Sequence, residues 1–146
     1  MDQIDTKILN VLLENSNLSY RKIASFVGVS GVTVLKRMKE LEKEKVIKNH
    51  TINLDYEKLG YDVSAIINMR ITHGMFKEAE KKLSKEPNVF AIYDITGDFD
   101  AMMIAKFKNR KSLNTFLKKI QEYDFIKKTE TSLILNTIKE ENIRIS

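Results

Sequence analysis

The chain contains no cysteine, which excludes disulfides, thiolate metal sites and thiol nucleophiles and fits a cytoplasmic location. It has a single proline, and Pro87-Asn88 marks the one place where that residue must break a helix. No apolar run approaches the roughly 20 residues needed to span a bilayer. The opening MDQIDTKILN is acidic and amphipathic, unlike a secretory signal, and no membrane partner is expected. The two histidines, His50 and His73, stand far apart, and no glycine-rich loop of the phosphate-cradling kind occurs. Asp94, Asp98 and Asp100, with His73, come nearest to a divalent-cation set. With no nucleophile and base beside them, the expectation is a chain that is not an enzyme and carries no metal or cofactor.

What is present is a globular composition. Of 146 residues 42% are apolar and 31% charged, enough for one ordinary domain or two small ones. Organisation centres on Leu18–Ile47, LSYRKIASFVGVSGVTVLKRMKELEKEKVI. Its spacing predicts two short helices, the first with Ile23, Phe26 and Val27 inward, the second with Val34, Met38 and Leu41 inward. Between them Gly28 suits the left-handed residue that ends a helix, and Ser30 the hydroxyl that caps the next. Two helices joined this way match a helix-turn-helix, whose second helix enters the DNA major groove.

Charge follows the same stretch. From Leu18 to His50 eight basic residues face only Glu40, Glu42 and Glu44, a local excess equal to the whole chain's +5. A phosphate-binding face requires such an excess. On the face opposite the apolar stripe, Val32 and Thr33 suit thymine methyls, while Lys36 and Arg37 suit guanine or phosphate. Arg21 and Lys22, opening the preceding helix, suit the DNA backbone, and Ser30 stands at the start of the recognition helix. A preceding helix from Asp5 to Asn15, with Ile4, Ile8, Val11 and Leu12 inward, closes a small core over the pair. After Leu41, KEKVIKNHTINLD alternates through Ile47 and Ile52 and reads as a wing, either a short hairpin or an extended arm.

These features place a helix-turn-helix domain at 1–54 and a linker at 55–61, where YEKLGY contains Gly60. From Asp62 the pattern becomes strand-like. VSAIINMRI is a buried strand and Met75–Lys85 a helix with Phe76, Ala79 and Leu83 inward. VFAIYDIT and AMMIAKF flank a turn at Gly97-Asp98. A second helix starts at a Ser112 cap with Leu113, Phe116, Leu117 and Ile120 inward, and a last strand runs from Ile126 to about Ile138. The order β-α-β-β-α-β over 62–146 is the ferredoxin-like split βαβ arrangement, and the fold class is α+β. Ile66, Met69, Tyr93, Met102, Ile104, Leu133 and Leu135 amount to more apolar surface than two helices can cover, which predicts a homodimer.

The combination resembles the Lrp/AsnC (feast-or-famine, leucine-responsive) family of transcription regulators over essentially the whole chain. The resemblance is carried by the opening DxxDxKILNVLLEN, the helix-turn-helix stretch, TGDFDAMMIA after the turn, and TETSLILNTIK at the end. It implies double-stranded DNA as a partner, a dimerising C-terminal domain, assembly into tetramers or octamers, and an amino-acid or related effector. By position, the implied effector lining is Gly97, Asp98, Asp100, Thr129, Thr131 and Ser132; turn amides there could receive an α-carboxylate and an acid an α-ammonium. One departure is Lys45, where the family usually has Gly before the Val-Ile of its wing. The function expected is a sequence-specific, ligand-responsive transcription regulator; the alternative is an architectural protein that coats DNA without an effector.

Overall fold

Asp2 sets the start of the first helix, α1 (Gln3–Glu14). Its carboxylate accepts the amides of Ile4 and Asp5, while the Asp5 carboxylate accepts the Asp2 amide, a reciprocal capping box. The structure, a computed structural model, describes residues 1–146. It divides into one unit of Met1–Asn53 with Lys139–Ser146 and another of Leu54–Ile138.

In the first unit α2 (Tyr20–Val27) and α3 (Gly31–Lys43) follow α1. Gly28 ends α2 at φ +83°, and the Ser30 hydroxyl accepts the Thr33 amide to cap α3. The core is Ile8, Ile23, Ala24, Val27, Val34 and Met38, with Ile4, Val11 and Leu12 packed around it. Full burial of each such branched side chain contributes about 1.5–3 kcal/mol. Phe26, expected inward, is instead 61% exposed, with the Lys22 ammonium 5.3 Å above its ring. The buried stripe of α2 runs through Ile23, Ala24 and Val27 and leaves Phe26 on its flank.

Helix α3 ends in a Schellman turn. The Val46 amide donates to Leu41 O at 2.9 Å and the Lys45 amide to Glu42 O at 3.0 Å, with Lys45 at φ +57°. Lys45 therefore occupies the left-handed position that a glycine would fill without strain. No strand follows: residues 48–55 form neither helix nor strand, so there is no hairpin wing. The last eight residues, expected in the second domain, pack on α1. The Asn10 side chain donates to Ile145 O (2.9 Å) and accepts from Ile145 N (2.8 Å). An amide side chain presents one donor and one acceptor side by side, which is what an unpaired peptide group needs.

The second unit begins with a turn that the sequence placed in the linker: Asp55 accepts the Lys58 amide, and Gly60 adopts φ +82°. Strands β1 (Val63–Ile71), β2 (Val89–Asp94), β3 (Ala101–Phe107) and β4 (Ile126–Leu133) form an antiparallel sheet in the order β2-β3-β1-β4. Helices α4 (Phe76–Leu83) and α5 (Arg110–Gln121) complete the split βαβ order. Alternate residues of the two central strands, Ala65, Ile67, Met69 and Ile71 with Ala101, Met103, Ala105 and Phe107, form the core with Ala79, Leu83, Leu113, Phe116 and Ile120 of the helices.

Met69, expected on the bare face, shares the core face with Ile67 because strand side chains alternate strictly. The bare face carries Ile66, paired with Ile104, and Met102, paired with Tyr93. The cap of α5 is Asn109 rather than Ser112: the Asn109 carboxamide oxygen accepts both the amide and the hydroxyl of Ser112. Helix α4 begins at Phe76 without a side-chain cap, and β4 stops at Leu133, leaving Leu135 95% exposed beyond it.

The Lys45 geometry yields a direct test. Replacing Lys45 by Gly removes the left-handed penalty and is expected to stabilise the chain by about 1 kcal/mol, after allowing for the extra flexibility of the unfolded state. Denaturant unfolding of both proteins measures it, and an unchanged or lower midpoint would contradict the strain.

Candidate functional site

The surface around the N-terminus of α3 assembles from two helices. Gly31 lies beside Arg21: a methyl group there would stand in ordinary contact, 3.9 Å from Arg21 Cα. The first turn of α2, with exposed Arg21 and Lys22, therefore shares a surface with the start of α3. Val32 is 77% exposed, and Lys36 projects to solvent one turn later. Thr33 is half-buried, its hydroxyl 2.8 Å from the Ser30 hydroxyl, so both groups are engaged in the cap.

Arg37 is placed differently from its neighbour. Its Nη1 lies 2.8 Å from Asp2 Oδ2 and 3.3 Å from Asp5 Oδ1. The Asp5 side chain is 7% exposed and would be an uncompensated buried charge without this partner. The guanidinium thus closes the α1 capping box onto α3. Amide bonding from Asp5, followed by that from Ile4 and the charge of Arg37, holds the Asp2 carboxyl below the usual aspartate range. The charge of Asp2 in turn raises the Arg37 guanidinium. The sequence contained the signal, two acids in the first turn of one helix and a lone Arg in the middle of another, but not the approach that joins them.

In the second unit the Gly97–Asp100 loop is tied to β1. Gly97 adopts φ +109°. The Asp100 amide donates to Met69 O, and its carboxylate accepts the Ile71 amide at 2.8 Å, beside the irregularity between Arg70 and Ile71. Arg70 Nε donates to Asp98 O at 2.8 Å, and the Arg70 and Lys128 cations flank the Phe99 ring. Asp100 therefore holds the loop in shape, whereas the Asp98 carboxylate is exposed and hydrogen-bonds to nothing in the chain.

The residues expected on β4 are not brought to one face. Thr129 and Thr131 pair with Met69 and Ile67, the helix-covered side, and Thr129 accepts from Gln121 of α5. Ser132 pairs with Ile66 on the opposite face. Thr129 stands across β1 from the loop, while Thr131 lies about 7 Å farther along the strand. Arg70, Phe99 and Lys128 were missed; a charged residue at an outward position of an otherwise apolar strand was the available sign for Arg70. Asp94 instead borders a depression of about 230 Å³ with Ile71, Phe76, Leu83, Ile92 and Tyr93. No three acidic or histidine side chains converge as a metal-binding group.

Comparison with known proteins finds two family models along the chain. Residues 64–143 match a family model described as the Lrp/AsnC ligand binding domain, and residues 1–48 one described as winged helix-turn-helix DNA-binding. An uncharacterized HTH-type transcriptional regulator of Pyrococcus horikoshii is 40% identical over 141 residues, covering 97% of this chain and 95% of the relative. The structure of E. coli AsnC superimposes with a TM-score of 0.92 at 26% identity over 99% of each chain. A transcriptional regulator of Neisseria meningitidis, solved as an L-Met complex, has the same fold. Its TM-score is 0.91 at 24% identity, over 100% of this chain and 96% of that one.

The Asp2–Arg37 geometry sets a pH dependence. A carboxyl lowered on folding contributes stability above its unfolded pKa of about 3.9, and loses it as pH falls through the lower folded value. Asp2→Asn keeps a helix-capping side chain but not the charge. Thermal midpoints measured from pH 5 down to 2 are expected to fall more steeply for the wild type than for Asp2→Asn; parallel curves would show that this carboxylate is not linked to folding.

Proposed function

We propose how this chain, which belongs to the Lrp/AsnC family of DNA-binding transcriptional regulators, divides its work between its two units. The N-terminal end of α3 and the first turn of α2 contact an operator. The Leu54–Ile138 unit pairs with further copies and binds an amino acid or related small molecule. Work on DNA supports a cytoplasmic location for the chain.

The observation that carries this reading is the contrast between adjacent residues of α3. Arg37 is neutralised by two carboxylates, whereas Lys36 makes no ion pair and shares its exposed surface with Val32, Arg21 and Lys22. Lys36, Arg21 and Lys22 are assigned to phosphates, Val32 and Thr33 to base edges, and Ser30 and Arg37 to holding the helix that presents them. The bare sheet face, with Ile66, Met102, Ile104, Tyr93 and Phe90, is the surface for a second copy, and two-fold pairing supplies two recognition helices.

For the effector, the ordered Gly97–Asp100 loop offers a free carboxylate at Asp98 for an α-ammonium group. Asp100, Thr129, Thr131 and Ser132 complete the candidate set, with Asp100 acting through loop shape and the β4 residues contributing from either face of their strand.

Two measurements test the proposal. In operator titrations at varied salt, Lys36→Ala is expected to reduce the slope of log affinity against log salt by about 0.9 per half-site, leaving the melting temperature unchanged. Arg37→Ala is expected to lower the melting temperature and spare the slope; the reverse pattern would exchange their roles, and no retardation of any DNA at low salt would end the reading.

Thermal shift against the common amino acids, starting with methionine, tests the second unit. A binder at a hundred times its Kd stabilises the chain by about 2.7 kcal/mol. Asp98→Ala should abolish the shift while leaving the loop intact, since Arg70 bonds the Asp98 carbonyl rather than its side chain. A shift that survives puts the ligand elsewhere.

A further inference from the structure

We propose that the outer ridge of α4 is a second, sequence-independent surface for the DNA backbone, separate from the recognition helix. The proposal rests on the operator-binding reading only in taking duplex DNA as the chain's polyanionic partner. Lys77, Lys81 and Lys85 follow one another at intervals of four residues. On a helix that spacing makes a single row with steps of about 6 Å, and Lys85 continues it in the turn just past the helix. Together with Glu78, Lys82 and Tyr123 they border an open depression of about 720 Å³.

The charges around this row are already accounted for. Glu78 is paired with Lys82 at 3.2 Å, and Lys82 also lies 5.1 Å from the centre of the Tyr123 ring. Glu86 is paired with Lys119 at 2.6 Å and accepts the Tyr123 hydroxyl. Glu80 lies on the other flank of the helix, at the depression beside β2. None of the chain's ion pairs includes Lys77, Lys81 or Lys85.

Like charges four residues apart destabilise a helix, and the same helix shows at Glu78–Lys82 how an acid relieves them. Three uncompensated ammonium groups in a row, on an exposed ridge beside a wide depression, suit the successive phosphates of one DNA strand. Lysine's flexible point charge fits this task, because phosphate contact of this kind positions a duplex without reading its sequence. The ridge would engage DNA flanking the operator.

The test compares the full-length wild type with the triple variant K77Q/K81Q/K85Q on two duplexes, one limited to the operator and one extended by long flanks. Because the three side chains are exposed and repel one another, the variant is expected to melt at or slightly above the wild-type temperature. On the long duplex the variant should bind more weakly, and its salt slope should fall by about 0.9 for each lost contact, or roughly 2.7 per protomer engaged. On the short duplex affinity and slope should match the wild type. Identical behaviour of the two proteins on the long duplex would overturn the proposal. Equal losses on both duplexes would also overturn it, by placing the lysines inside the operator footprint. A wild type that binds the long duplex but shows no preference for any operator would refute the recognition-helix reading while leaving the ridge to be judged by the same slope.

Discussion

The pairing of β1 on both of its edges, with β3 on one side and β4 on the other, constrains nearly everything in the second unit. Once Ala65, Ile67, Met69 and Ile71 are turned toward α4 and α5, strict alternation commits Ser64, Ile66, Asn68 and Arg70 to the opposite face. The register then carries that choice to β3, so that Ile104 lies beside Ile66 and Met102 beside Asn68. The bare apolar face is a geometric consequence of filling the core. So is the position of Arg70, whose outward direction lets it hold the Asp98 carbonyl and order the loop that precedes β3.

The first unit is held by different means. Three short helices enclose few residues, and a core of that size leaves a small margin. Polar contacts make up the difference: the reciprocal Asp2–Asp5 cap, the Arg37 guanidinium against both acids, the Ser30 cap and the Schellman turn at Lys45. Arg37 and Lys36 are consecutive in sequence yet a helix turns about 100° between them, enough to send one to the core margin and the other to solvent. Neutralising the first leaves the exposed surface to be defined by the second.

Charge compensation is thus a better guide to function here than charge itself. Lys82 and Lys119 are basic residues matched to Glu78 and Glu86, and they serve the packing of α4 and α5. Arg37 belongs with them. Lys36, Arg21 and Lys22 in one unit, and the α4 row in the other, have no such partners, and on that ground we propose them as the contacts for an external polyanion. The unpaired Asp98 carboxylate is the acidic counterpart in the loop.

The helix-turn-helix, its Gly28 and Ser30 punctuation, the buried stripe Val34–Met38–Leu41 and the β-α-β-β-α-β order were legible in the chain because local spacing and capping chemistry decide them. The alternation of β1 and β3 was equally plain, though the face taken by Met69 was not, since period-two patterns identify two faces without saying which one is covered. Phe26, the Asn109 cap and the end of β4 depended on crowding and hydrogen bonds that spacing does not encode. Contacts between distant segments lay wholly beyond the sequence: Arg37 with Asp2 and Asp5, Asp100 with Ile71, and Asn10 with Ile145. The sequence by itself therefore determined the order of elements and their periodic cores, but not that Lys139–Ser146 joins the first unit. Tertiary structure alone decided which charged groups are neutralised and which are free, because that depends on which segments approach within hydrogen-bonding distance.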